Sequence, residues 1–204
     1  MMGKIIQVAQ AIFDYTNKGD RLRNVLNKGL SILEIDEKLK NFERKIPEEL
    51  KDLYQWHNGT NINSDLELFY YHYFLSLEES LEIYHEWMGF NQKERFCIYP
   101  ENLLPIFGFE GEYYAIECFR DEQKTGKIWH IFHDQMCVYD SLYLMLKSFL
   151  EAYEKEAYKI VLVDNYWETE VNEQLVSEIK LKYNPVRHEV ALELREQNEY
   201  FYYP

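Results

Sequence analysis

The stretch IPEELKDLYQWHNGT, from Ile46 to Thr60, reads as a short helix with both of its ends written out. Pro47 suits the first helical position, where its missing N–H costs nothing and its fixed φ is already helical. Glu48 and Glu49 then place negative charge at the positive end of the helix dipole. Leu50, Leu53 and Tyr54 recur at i, i+3 and i+4, and Trp56 with His57 completes the last turn. Gly59 is the expected left-handed residue that stops the helix, a reading the periodicity favours over an Asn58-Gly59 hairpin turn. His57, at the negative end of the dipole, reads as a capping group before a general base.

Upstream, Ile5, Val8, Ile12 and Phe13 recur at helical spacing and predict an amphipathic helix running to Asn17-Lys18-Gly19. Arg21 to Gly29 reads as a short basic helical patch, with Leu22, Val25 and Leu26 on one face. No aromatic residues interleave its charges, so a solvated face is preferred to a phosphate contact. Ile32, Ile35, Leu39 and Phe42 predict a helix over 31–45 that forms a hairpin with the Pro47 helix.

Downstream the period changes. Leu66 to Phe74 alternates in the manner of a strand, and Ser76-Leu77-Glu78-Glu79 is a capping box that opens a helix carrying Leu77, Leu81, Tyr84 and Met88. Asn91 to Pro100 reads as loop with a short strand at Phe96 to Tyr99. Leu103 to Phe107 contains Pro105, which cannot donate to a central ladder and predicts an edge or entry strand. A turn at Glu110-Gly111, a strand over 113–119, a loop over 121–126 and strands over 127–132 and 136–139 make an antiparallel meander. Asp140 is the expected cap of a helix with Leu142, Met145, Leu146, Phe149, Leu150 and Tyr153 on one face, packed across the sheet. Beyond it, 160–163 reads as a strand, Val171, Leu175 and Ile179 as a helix, and the Tyr-rich end from Glu199 to Pro204 as a segment folded back on the body.

Composition bounds the function. With 204 residues, 47% of them hydrophobic and 17% aromatic, the chain is built to fold around a core and is no disordered segment. Thirty-six acidic residues against 22 basic ones give a formal charge of −14. Such a field repels nucleic acid and anionic lipid and favours basic partners, besides keeping a Tyr-rich protein in solution. The three cysteines, Cys97, Cys118 and Cys137, lie far apart and read as reduced thiols. No run has signal-peptide or membrane-span length, and the expectation is a cytoplasmic protein.

Signatures of chemistry are absent. His130 and His133 have the i, i+3 spacing of a helical ligand pair, but they fall on a strand, so a structural role outranks a metal. Asp134 and Asp140 are explained by a turn and a helix cap. No nucleophile elbow, phosphate loop or H-E-x-x-H motif occurs, and neither cofactor nor metal is expected.

Taken in order, Pro47 to Leu50, Trp56 to Gly59, Phe74 to Glu79 and Trp87-Met88 resemble the SUKH superfamily. So do Leu104 to Gly108, Gly111 to Ile116, His133-Asp134 and Tyr139 to Leu142. This superfamily joins bacterial toxin-immunity proteins with the yeast cell-wall-synthesis regulators. The resemblance implies an α+β fold, a mostly antiparallel sheet with helices packed on it, without enzyme activity or cofactor. It carries over Trp56, Gly59, Pro105, Gly108, Gly111, Tyr114 and Asp140 as fold-setting positions. The expected organisation is an N-terminal helical extension (1–30), a SUKH-like domain (31–158) and a C-terminal extension on the same core (159–204). The function so implied is neutralisation of a basic toxin domain by protein–protein binding, with Glu110, Glu112, Asp121 and Glu122 beside the meander turns as candidate contacts. A regulatory module for an endogenous protein partner is the alternative, and a metal enzyme around His130 and His133 a weaker one.

Overall fold

The computed structural model describes residues 3–17, 25–61, 72–94, 97–133, 135–164 and 166–185. A five-stranded sheet forms the middle, built from β3 (Tyr73–Phe74), β4 (Leu103–Phe109), β5 (Glu112–Glu117), β6 (Ile128–Ile131) and β7 (Gln135–Tyr139) in that order, each antiparallel to its neighbour. The expected meander is therefore present. Alternation along the strands gives the sheet two apolar faces. Leu104, Tyr114, Ile116, Ile128 and Tyr139 join the main core, while Leu103, Tyr113, Ala115, Trp129 and Ile131 meet a second cluster. The fold is α+β, with helices over both faces.

The main core is supplied by α1 (Lys4–Thr16), α3 (Glu48–Trp56) and α5 (Leu142–Glu154). α1 lies along α5; Ala9 is buried with it and Phe13 is half-buried, while Ile5, Val8 and Ile12 are buried at its predicted spacing. Each such aliphatic side chain contributes on the order of 1.5–3 kcal/mol when fully buried. All six apolar residues predicted to line α5 are buried, but α5 runs chiefly against α1 and α6 (Glu173–Tyr183) and touches the sheet mainly at β7. The second cluster belongs to α4 (Leu77–Glu94), whose Ile83, Trp87 and Met88 cover the other face. Its capping box is formed: Ser76 Oγ accepts from Glu79 N at 3.2 Å and Glu79 Oε2 accepts from Ser76 N at 2.7 Å.

Several local readings are corrected. Residues 26–28 are not helical but form β1 (Leu26–Lys28), paired with β2 (His57–Thr60). Asn27 secures the pairing, because its side-chain amide donates to the carbonyls of Asn58 and Thr60, each at 3.1 Å. α2 (Ile32–Lys38) stops well short of Lys45. Its Ile32 is exposed, and Phe42 reaches the core through a turn that sets it edge-to-face with Tyr84 at 5.0 Å. α4 continues to Glu94, and the strand expected at Phe96 to Tyr99 is replaced by bends at Ile98 and Tyr99, tied by Asn91 Oδ1 to their N–H groups at 2.8 and 2.9 Å. The predicted strand over 66–74 is described only from His72 onward, and the Tyr-rich end lies outside the described residues.

Pro105 stands in an inner strand rather than an edge strand. β3 explains how: Tyr73 and Phe74 pair only with Gly108 and Phe107, so on that side the ladder ends before Pro105. The register also shifts between Pro105 and Phe107 on the β5 side. α5 is capped by Ser141, whose Oγ accepts from Leu144 N at 3.2 Å, and not by Asp140. Asp140 is exposed one residue earlier.

Candidate interaction surfaces

The two ends of the sheet carry carboxylates of different construction, one buried and one half-buried. At one end Glu49, in the first turn of α3, turns inward instead of serving only the helix dipole. Its Oε1 accepts from Gly126 N at 2.9 Å and Leu142 N at 3.0 Å, and its Oε2 from Tyr143 N at 3.2 Å. One side chain thereby joins α3, the β5–β6 loop and the N-terminus of α5, satisfying N–H groups that a helix end leaves open. The loop reciprocates, since the carbonyls of Gln123 and Lys124 accept from Glu48 N and Glu49 N at 2.9 and 3.1 Å. Burial raises the Glu49 pKa, and the three backbone donors only partly offset that desolvation.

At the opposite end Glu112, the first residue of β5, meets imidazoles. Its Oε1 lies 2.6 Å from His130 Nε2 and 3.6 Å from His72 Nε2, and the Tyr114 ring packs against both histidines, with centroids 4.7 Å from His72 and 5.3 Å from His130. Desolvation alone would raise the Glu112 pKa; the His130 hydrogen bond together with the charges of His130, His72 and Lys180 lowers it. His133 sits outside β6, exposed in the turn and against the Phe132 ring at 4.0 Å, so the His130 and His133 pair does not converge. Asp134 lies outside the described residues. Among the described residues no group of three or more His, Cys, Asp or Glu side chains could hold a metal ion. No described helix is long and apolar enough to cross a membrane.

Residues 29–155 match the sequence profile of the SMI1/KNR4 family (SUKH-1). The chain belongs to that family. No curated protein was found to match it. The SUKH-1 family includes toxin-immunity proteins and works through protein–protein interaction.

Within the SUKH-1 body, the structure places the seven positions that the motifs suggested. Gly59 has φ +79, but it lies inside β2, three residues past the end of α3, where His57 is already extended. A Cβ there would stand 2.3 Å from Ser76 N, so the residue is fixed by the close approach of the α4 start. His57 is the C-cap residue, and its Nδ1 lies 2.6 Å from the Asn27 carbonyl. Trp56 donates through Nε1 to Gln10 Oε1 at 3.1 Å, tying α3 to α1. Gly108 lies against the Tyr113 ring, Gly111 takes φ +89 in the open β4–β5 turn, and Tyr114 is buried beside the two histidines.

The four acidic contact candidates do not form one surface. Glu110 and Glu112 flank the β4–β5 turn, whereas Asp121 and Glu122 lie beyond the far end of β5, about 17 Å of strand away. Glu122 is held by Lys51 at 2.9 Å and Glu112 by His130, which leaves Glu110 and Asp121 exposed at opposite ends.

A surface missed by the sequence reading follows the family body. β8 (Tyr158–Val163) and β9 (Tyr166–Val171) pair as an antiparallel hairpin separate from the five-stranded sheet. One hairpin face packs inward through Tyr158, stacked on Phe149 at 6.1 Å, with Ile160, Trp167 and Val171. The other carries Lys159, Val161 and Val163 opposite Glu170, Glu168 and Tyr166. α6 then returns along α5, where Glu151 meets Lys155 at 2.7 Å, Lys182 at 2.5 Å and the Tyr183 hydroxyl at 2.7 Å. Those partners, Lys155 foremost, hold the Glu151 carboxyl down to about 2.

Proposed function

We propose that this SUKH-1 chain is a non-catalytic, cytoplasmic binding protein that neutralises a cognate toxin by covering its active face. The observation that carries the reading is the family match over residues 29–155, since that family includes toxin-immunity proteins. The charge of −14 supports a basic partner. An acidic inhibitor is steered toward a basic toxin domain, a nuclease for example, and competes with its polyanionic substrate.

The test is survival. The chain is co-expressed with the product of the neighbouring open reading frame, and host viability is read together with a pull-down from the lysate. Viability restored by the chain, with one-to-one capture of a basic toxic polypeptide, is the expected result. Capture of an endogenous regulatory protein with no rescue would replace immunity by the regulatory role.

A further inference from the structure

The β8–β9 hairpin follows the last residue that matches the family profile. The inner face is occupied by Tyr158, Ile160, Trp167 and Val171. On the outer face Val163 pairs with Tyr166 and Val161 with Glu168, and near the tip Tyr166 is 74% exposed and Val163 41% exposed. Leu162, paired with Trp167 at the end of β8, lies on the inner-face side of the ribbon and is no part of this patch. A hairpin that only capped the helices would present a polar face to water, following the ordinary alternation of an antiparallel ribbon. Here Tyr166 and Val163 at the tip are flanked by Asp164 and Glu168, while Glu170, further along the same face, is paired with Lys159 at 3.8 Å.

Apolar residues centred on a tyrosine and bordered by charge of one sign are the anatomy of a protein-binding patch, in which the aromatic anchors and the rim charges select the partner. We infer that the outer face of the β8–β9 hairpin docks a basic protein, namely the basic face of the toxin. This rests on the toxin-neutralising reading. Other acidic surfaces are weaker candidates: Glu78 of α4 is engaged by Asn58 at 2.9 Å and paired with Lys38, and Glu122 is paired with Lys51. In the hairpin the carboxylates and the apolar anchors share one face.

The probe is the neighbouring toxin domain, purified with its active site inactivated, titrated calorimetrically into the full-length chain. Tyr166→Ser with Val163→Ser is expected to weaken Kd by about 30-fold or more, the loss typical of an aromatic hot spot. Glu168→Lys with Glu170→Lys is expected to slow association about tenfold and to flatten its salt dependence. Glu110→Lys with Asp121→Lys serves as the control and should change Kd little. Wild-type binding that both hairpin variants retain overturns the hairpin assignment and leaves the immunity reading standing, whereas no wild-type binding removes both. Two further results overturn the assignment by naming another occupant. One is a dimer that Tyr166→Ser converts to monomer; the other is resistance of Tyr166 to nitration in the free full-length chain, which would mean that the chain covers this face itself.

Discussion

The SUKH-1 body and the C-terminal hairpin and helix are held in place to different degrees by buried polar groups. In the body, polar side chains such as Glu49 and Asn58 reach across to the backbone of distant elements: Glu49 to Gly126 and Leu142, Asn58 Oδ1 to Leu77 N at 2.9 Å. The C-terminal unit is held by one packed face of a hairpin, by Asn184 Oδ1 accepting from Asp140 N at 3.4 Å, and by Glu151 of α5, which meets Lys182 and the Tyr183 hydroxyl. Removing a side chain such as Glu49 strands backbone N–H groups, whereas a substitution on the hairpin's outer face leaves the packed inner face in place.

The sharpest way to break this contrast is at Gly59. Its alanine variant must move the α4 start, because the new Cβ falls 2.3 Å from Ser76 N and 2.7 Å from Leu75 C. We expect a loss of about 3–4 kcal/mol in urea unfolding with an unchanged m-value. Gly111→Ala has the same left-handed backbone but meets no atom within 4 Å, and should lose only about 1 kcal/mol. Equal losses would mean that the dihedral and not the crowding decides.

Next comes Glu49. Glu49→Ala strands three N–H groups and is expected to cost about 3 kcal/mol, lowering Tm by roughly 6–12 °C at this chain length. Its pH dependence has a distinctive sign. The folded pKa is raised above 4.5, so the folded chain binds the proton more tightly, and Glu49 makes the protein more stable as pH falls from that raised value toward 4.5. Glu49→Gln should flatten stability in that window.

Glu151 titrates the other way. With a folded value of about 2 against 4.5, its contribution is complete above 4.5 and disappears as pH falls toward 2. Glu151→Gln should destabilise by about 1 kcal/mol at pH 7, raise amide exchange selectively in α6, and match the wild type near pH 2. The smallest effect is expected at the hairpin, where Tyr166→Ser should change stability by less than about 0.5 kcal/mol by calorimetry. A larger loss there would show that the outer face is structural and would erase the contrast.

Much of the fold was legible because its signals are local. The Ser76 to Glu79 box, the six apolar residues of α5 and the turn between Phe109 and Glu112 each declare themselves within a few residues. What escaped depends on partners far along the chain. Glu49 is spelled like any acidic residue in a first helical turn, and nothing nearby tells that Gly126 and Leu142 will come to it. β2 is written His-Asn-Gly-Thr, a polar tetrapeptide with no strand alternation, yet Asn58, Gly59 and Thr60 are buried. It becomes a strand because Asn27 and the α4 start satisfy it. Glu112 was legible as an acid near a turn, but its histidine neighbours come from β6 and from the residue just before β3, and required the register. The hairpin's outer face was hidden for a different reason, since Val161 and Val163 read simply as buried strand, and β9 was not read as a strand at all, its Val171 being assigned to a helix.

The position of Glu49 also sets an order of events during synthesis. Its acceptor oxygens wait for an N–H 77 residues downstream and another 93 residues downstream. Until the ribosome has delivered α5, the α3 helix carries a charge that prefers water, so the core on that side of the sheet cannot close early around an incomplete chain. Contacts of such long sequence separation slow folding. They also make closure of this core a step that follows completion of the meander and the arrival of its last helix.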